Sequence, residues 1–342
     1  MSIEGDTMSK ILLAHGSGGR LTHDFIEKVI LKKYGNPTLK RLTDSAILRL
    51  EKTKYLAFTT DSFVVNPIVF KGGDIGKLAV CGTINDLAVC GALPLYISCA
   101  LIIEEGLEEL TLAKILDSMA AEAKSSGVEI VTGDTKVVER GNADKLFINT
   151  SGIGAVKYNK ILSVNNIKIG DRIVINGPIA DHGMSVLLAR KELGFKSEIR
   201  SDCAALHRLI LTVLKKCSNV KFMRDPTRGG LATTMNEIVS RMPFGVRLFE
   251  EKIPLNESTK AACELLGLDP LYIGNEGKVI MVLPEREADK AVGIMKKSNL
   301  GRRAAIIGEV TKDFKEKVII RTSVGGERIV DMLSKEALPR IC

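Results

Sequence analysis

The sequence predicts an α+β protein folded as two successive units with a short tail, on three observations. At 342 residues the chain is too long for one small core. Both halves interleave β-rich alternating runs with helical apolar stripes. A polar stretch from Asn159 to Gly170 separates those halves. The composition, 45% hydrophobic and 26% charged, is that of a globular protein.

In the first unit, alternation and β-branched content predict strands at Tyr55 to Asp61, Leu95 to Ile103, Glu129 to Val138 and Lys145 to Val156. Between them a helix is predicted from Asp74 to Cys90, with Ile75, Leu78, Ala79, Ile84, Leu87 and Ala88 as its stripe. A second runs from Leu107 to Ser126, with Leu110, Leu116 and Met119. Asp74 is placed to cap the first of these helices. The second unit opens with a strand at Asp171 to Asn176, then helices at Gly183 to Leu193, Cys203 to Cys217 and Pro226 to Met242. A strand at Val246 to Phe249, a helix at Ser258 to Leu266, a strand at Lys278 to Leu283 and a helix at Glu285 to Ser298 follow. Strands at Ala304 to Thr311 and Lys317 to Arg321 complete it.

Several function classes are disfavoured. The chain carries 49 Lys and Arg against 41 Asp and Glu, a net charge of +8. These basic residues are scattered and not interleaved with aromatics, so no nucleic-acid partner is expected. No apolar run approaches membrane-spanning length, and Met1 to Leu13 lacks a secretory pattern, so a cytoplasmic protein is expected. The seven cysteines show no zinc-type spacing. Six of them, Cys81, Cys90, Cys99, Cys203, Cys217 and Cys263, read as reduced, packed small hydrophobes.

Cys342 is different. It is the last residue of the sequence, on a Pro339-Arg340-Ile341-Cys342 tail whose proline disfavours a helical end. Its thiol could enter a site or face a partner, or it could be incidental to a frayed end. Arg340 could offset the charge of a carboxylate beside that thiol.

Candidate chemistry lies in loops and strand ends. The glycine-rich lead Ala14-His15-Gly16-Ser17-Gly18-Gly19-Arg20 and the Gly72 to Leu78 segment match neither a Walker A loop nor GxGxxG. Aspartates recur at predicted strand ends and helix edges: Asp44, Asp61, Asp86 and Asp134. Each could be a cap or turn residue or a hard oxygen ligand. Asp86 stands out because an apolar helix demands a partner or a cation for its carboxylate. Asp225-Pro226-Thr227-Arg228-Gly229-Gly230 reads as a helix start that would also suit an anion. Glu276, between glycines in Gly274-Asn275-Glu276-Gly277, is either a solvated turn residue or a base held by a loop.

Together these segments resemble the HypE family of hydrogenase maturation factors. That family shares a superfamily with aminoimidazole ribonucleotide synthetase, selenophosphate synthetase and thiamine-monophosphate kinase. The resemblance spans nearly the whole chain. It rests on His15 to Gly19, the Asp74 to Gly91 block with Asn85-Asp86, Gly133 to Val138, Asp225 to Gly230, Gly274 to Gly277 and the Arg340-Ile341-Cys342 end.

The resemblance implies a PurM-like architecture. Residues 1–45 would be a glycine-rich lead, 46–158 an ATP-binding domain whose sheet pairs in a homodimer, 159–332 an α/β sandwich domain and 333–342 a flexible tail. It implies an ATP-dependent lyase that dehydrates a carbamoyl group on Cys342 from S-carboxamide to S-cyanate, the source of the cyanide ligand of [NiFe]-hydrogenase. The partners implied are the carbamoyltransferase HypF and a HypC–HypD complex that accepts the cyano group. Glu276 would be the base and Lys136 would orient the amide. Asp61, Asp86 and Asp134, with Asp44 as a fourth candidate, would contact Mg2+ and the nucleotide, and Gly16, Ser17, Gly18, Gly19 and Arg228 would meet phosphates. The competing readings are another ATP-dependent synthetase or kinase of the superfamily, or a non-catalytic thiol carrier.

Overall fold

The structure, a computed structural model, describes residues 11–16, 18–51, 54–156, 158, 162–190, 197–333, 338 and 340–342. It opens with helix α1 (Arg20–Phe25), a π-helical turn at Ile26–Ile30 and helix α2 (Leu31–Tyr34), none of which the apolar pattern announced. The first domain then supplies strands β1 (Ala46–Glu51), β2 (Lys54–Phe63), β3 (Val69–Phe70) and β4 (Gly73–Asp74), followed by helix α3 (Ile75–Val89). Strand β5 (Ala92–Glu104), helix α4 (Glu109–Ser126), and strands β6 (Glu129–Val138) and β7 (Leu146–Val156) complete it. The five-stranded sheet has the order β1-β2-β7-β5-β6. Only β5 and β6 pair in parallel, and α4 provides the crossover that parallel neighbours require.

Asp74 caps α3 as its position predicts: its carboxylate accepts from the backbone N–H groups of Gly76 and Lys77 at 2.8 and 3.0 Å. The predicted apolar stripe, however, understates this helix, which is buried nearly all round. It lies between the sheet and the second domain, so no face is left for solvent. The helix and the sheet touch closely. A Cβ on Gly152 of β7 would stand 2.5 Å from Thr83 Cγ2, which leaves room for glycine only.

The second domain contains β8 (Asp171–Ile175), α5 (Asp181–Leu188), α6 (His207–Lys216), β9 (Phe222–Arg224), α7 (Gly230–Val239) and β10 (Gly245–Phe249). It continues with α8 (Glu257–Leu266), β11 (Ile280–Pro284), α9 (Glu285–Met295), β12 (Ala305–Thr311), β13 (Val318–Arg321) and β14 (Glu327–Ile329). Its seven strands run β14-β13-β10-β12-β8-β11-β9.

Strand alternation divides the core. Val174, Met281 and Leu283 pack with α6 and α9, while Ile173, Ile175, Ile280 and Val282 point the other way. The second set joins α5, α7 and α3 in one apolar cluster that crosses between the domains. Both domains therefore share a core, and the end of α3 sits against the loops that open the second sheet. Among the described residues no helix is long and apolar enough to cross a membrane.

Candidate active site

Where the domains meet, a cavity of about 40 Å³ is lined by Asp61, Ser62, Phe63, Gly82, Asp86, Asp225, Thr227, Arg228, Glu276 and Cys342. The lining converges from several elements of both domains. Asp61 and Phe63 come from the end of β2, Gly82 and Asp86 from α3, and Asp225 to Arg228 from the turn after β9. Gly82 makes room for this convergence, since a Cβ there would press to 2.9 Å from the Phe63 ring and 3.6 Å from Asp61 Oδ2.

The carboxylates crowd one another, and burial dominates their chemistry. Burial raises the pKa of Asp86 well above the ordinary range, and the charges of Asp225, Asp61 and Asp44 push it the same way. Asp225 is pushed up to about 7 by burial and then by Asp44. Asp61 is raised by burial, while Arg228 pulls it back down. Thr59 Oγ1 lies 2.7 Å from Asp86 Oδ2 and 2.8 Å from the Asp44 carbonyl oxygen. One hydroxyl hydrogen cannot serve both acceptors, so a protonated Asp86 that donates to Thr59 satisfies the pair.

Glu276 is 4% exposed, and burial, followed by the neighbouring Cys203, Asp225 and Asp61, holds its pKa well above the glutamate range. Its turn is built with care. Asp202, itself buried, accepts from the backbone N–H groups of Glu276 and Gly277 at 3.2 and 3.3 Å and from Lys278 Nζ at 2.7 Å. Asn85, the neighbour of Asp86 on α3, donates to the carbonyl oxygens of Glu276 and Ala204 and accepts from Leu206 N–H. The Asn85-Asp86 dipeptide thus fixes the second-domain turn with one side chain and lines the cavity with the other.

The C-terminal residues are docked here. Val64 N–H donates to the Cys342 main-chain oxygen at 3.2 Å and Asn66 N–H to the Arg340 carbonyl at 3.1 Å, as an added strand would. Ile341 is 5% exposed and packs in the shared core. The Arg340 guanidinium pairs with Asp144 and its Nε donates to Val64 O. Pro339 lies outside the described residues.

Other predicted site residues are distributed as follows. Arg228 reaches back to the glycine lead, with Nη1 2.9 Å from the Gly16 carbonyl oxygen. Gly18, at φ +79°, lies so close that a Cβ would stand 3.1 Å from Arg228 Cβ, and Gly19 packs on Leu333. Ser17 lies outside the described residues. Asp44 is engaged by the half-buried Arg224, which also binds Glu237.

Asp134 and Lys136 sit on exposed β6 and pair with each other at 2.9 Å. Asp61 faces Thr150, Thr150 faces Cys99 and Cys99 faces Gly133 across the sheet. That is three strand spacings, roughly 14 Å, so within one copy of the chain Asp134 cannot share an ion with Asp61. Asp225 and Thr227, from the segment expected to start a helix and to suit an anion, are cavity residues beyond the predicted set.

The chain's two halves match domain families. Residues 42–156 match the AIR synthase related protein N-terminal domain, and residues 168–321 the corresponding C-terminal domain. Two such domains closing on a carboxylate-lined cavity define a PurM-like protein. The carbamoyl dehydratase HypE of Rhodobacter capsulatus is 46% identical over 336 residues, 97% of this chain and 98% of that one. A crystal structure of a HypE–HypF complex superposes with a TM-score of 0.85 at 47% identity, over 90% of this chain and 99% of that one. A HypE structure in complex with ATP gives 0.81 at 44% identity, over 97% of this chain and all of the other. The chain belongs to the HypE carbamoyl dehydratase family.

Proposed function

We propose that this protein uses ATP to dehydrate a carbamoyl group carried on Cys342, converting S-carboxamide to S-cyanate in the cytoplasm. The observation that carries this reading is that the docked tail lines one cavity with Glu276, Asp61, Asp86, Asp225 and Arg228. Amide oxygen is a poor leaving group, and phosphorylation by ATP lets it depart as phosphate. The two protons lost from nitrogen need a base, and a buried glutamate with a raised pKa is a strong one once ionised. The amide oxygen leaves in phosphate, ATP becomes ADP, and the carbon–nitrogen bond becomes triple.

The cavity has room for the reacting group and not for a nucleotide. The nucleotide would approach from the rim, with its phosphates near Arg228 and the Gly16–Gly19 lead. Among the described residues no three His, Cys, Asp or Glu side chains form a ready-made metal cage. Mg2+ is suited to fewer protein ligands, since it keeps waters and shares substrate phosphates. Asp61, Asp86 and Asp225 fit such an ion: burial raises all three, neighbouring carboxylates push Asp86 and Asp225 the same way, and a cation would favour their charged forms. When bound, the ion would neutralise phosphate charge.

Lys136 and Asp134 enter this account through a second copy. The first-domain sheet exposes Tyr55, Phe58, Tyr96, Ile102, Val131 and Val137, a surface that suits the expected homodimer. In it, Lys136 of β6 would serve the partner's site. A HypF-type enzyme would load Cys342, and a HypC–HypD-type complex would take the cyano group. Replacing Cys342 by Ala should leave ATP binding intact and abolish carbamoyl loading. Loading on another residue would overturn the assignment.

A further inference from the structure

The docked tail is held by a residue that none of the chemistry above uses. His182, at the start of α5, is fully buried. Its Nε2 lies 2.6 Å from the carbonyl oxygen of Ile341, the residue before Cys342. Its Nδ1 lies 2.8 Å from Ser201 Oγ, and the Phe70 ring meets it edge-on at 5.4 Å. A carbonyl only accepts, so Nε2 carries the proton and Nδ1 accepts from the Ser201 hydroxyl. Burial keeps the ring neutral by lowering its pKa, consistent with that tautomer.

Ser201 is itself fixed across the domain junction. Its N–H donates to the Lys71 carbonyl at 2.8 Å, and a Cβ on Gly72 would stand 2.8 Å from Ser201 N and O. The next residue, Asp202, holds the backbone of Glu276 and Gly277. Consecutive residues thus orient the tail holder and the base. On its other side, Ile341 packs on the base's turn so closely that a Cβ on Gly274 would meet its Cδ1 at 2.6 Å.

We propose that His182 is the positioning residue that latches the tail, through the Ile341 carbonyl, in the register that presents Cys342 to Glu276, with Ser201 setting its tautomer. Its catalytic consequence rests on the dehydratase reading, but the latch itself does not. When the tail leaves to be loaded, the His182 N–H loses its partner in a buried site, which favours return.

The test uses the full-length protein without ATP or carbamoyl donor. A bulky maleimide is applied and modification at Cys342 is followed by peptide mass, with Cys90 and Cys99 as internal references. His182→Phe should speed Cys342 labelling roughly tenfold, the effect of one lost buried hydrogen bond. His182→Gln, whose amide can donate to the same carbonyl, should restore slow labelling. If His182→Phe does not fold, Ser201→Ala decides, because it releases the tautomer and should raise labelling by a smaller factor. Unchanged Cys342 labelling in a folded His182→Phe or Ser201→Ala protein, or equal acceleration at every cysteine, would overturn the latch. Faster labelling in a protein whose wild type shows no dehydration would support the latch while removing the dehydratase reading.

Discussion

Asp202→Asn is the sharpest perturbation of the turn that carries the base. Asp202 and Lys278 form an ion pair at 2.7 Å with side chains 6% and 7% exposed. Replacing the carboxylate leaves the ammonium buried beside a neutral amide and weakens two backbone hydrogen bonds to Glu276 and Gly277. Breaking one partner of a buried pair costs about 3–5 kcal/mol. In a domain of this size that is roughly 6–20 °C in Tm. Burial raises the Asp202 carboxyl, but the charge of Lys278 and the hydrogen bonds from Lys278 and Glu276 outweigh it, so its pKa is lowered. A lowered carboxylate contributes stability above its unfolded value of 3.8 that fades as pH falls through the folded one. Hence the gap between wild type and Asp202→Asn should be full at pH 7 and should close at acid pH. Differential scanning calorimetry across pH measures it. Adding Lys278→Met should recover most of the loss, because it removes the buried ammonium that Asp202→Asn leaves without its counter-charge. A single-variant Tm within 2 °C of wild type, in the sense that about 1 kcal/mol or less is at stake, would refute the reasoning, as would a double variant no better than the single.

Three further outcomes follow from the same geometry. Glu276→Gln should abolish dehydration of preloaded protein yet raise Tm at pH 8 by a few degrees, roughly 1 kcal/mol. A raised carboxylate favours the fold at low pH and costs stability once ionised, so a lower Tm at pH 8 would contradict its burial. Gly274→Ala should displace Ile341 and slow dehydration at unchanged ATP affinity; protease accessibility of the tail that matches wild type would count against that packing. Because Asp225 titrates near 7, the Mg2+ concentration needed for half-maximal nucleotide binding should rise roughly tenfold from pH 8 to pH 6 as protons compete for the site; isothermal titration that finds no pH dependence would exclude it from the ion's environment.

The fold was largely legible because long alternating strands and capped helices announce themselves. Glu129–Val138 has the predicted ends, and Asp74 caps as its position requires. Two predicted helices in the second domain ran long at their starts: the helix expected from Cys203 begins at His207, and that from Pro226 begins at Gly230. The residues in between are occupied by tertiary bonds, such as Leu206 N–H and the Ala204 carbonyl to the Asn85 side chain, that no local pattern encodes. Short edge strands such as β1, β9 and β14 were missed for the same reason, their pairing being set by distant neighbours.

The candidate site divided similarly. Glu276, Asp61, Asp86, Arg228 and Cys342 stood out by residue type and place, and they do line one cavity. Asp44, expected as a fourth ligand candidate, is paired with Arg224, a partner far away in sequence that no local pattern announces. His182 gave no signal at all, because its role depends on a backbone carbonyl of the tail.

The central claim is that Cys342 carries the group that reacts. Intact-protein mass spectrometry tests it directly, on protein first incubated with a carbamoyl donor system and then with ATP and Mg2+. The account predicts a carbamoyl adduct localised to Cys342 that loses the mass of one water only when ATP is added. An adduct elsewhere, or one at Cys342 that persists unchanged with ATP while the protein binds nucleotide normally, would contradict it.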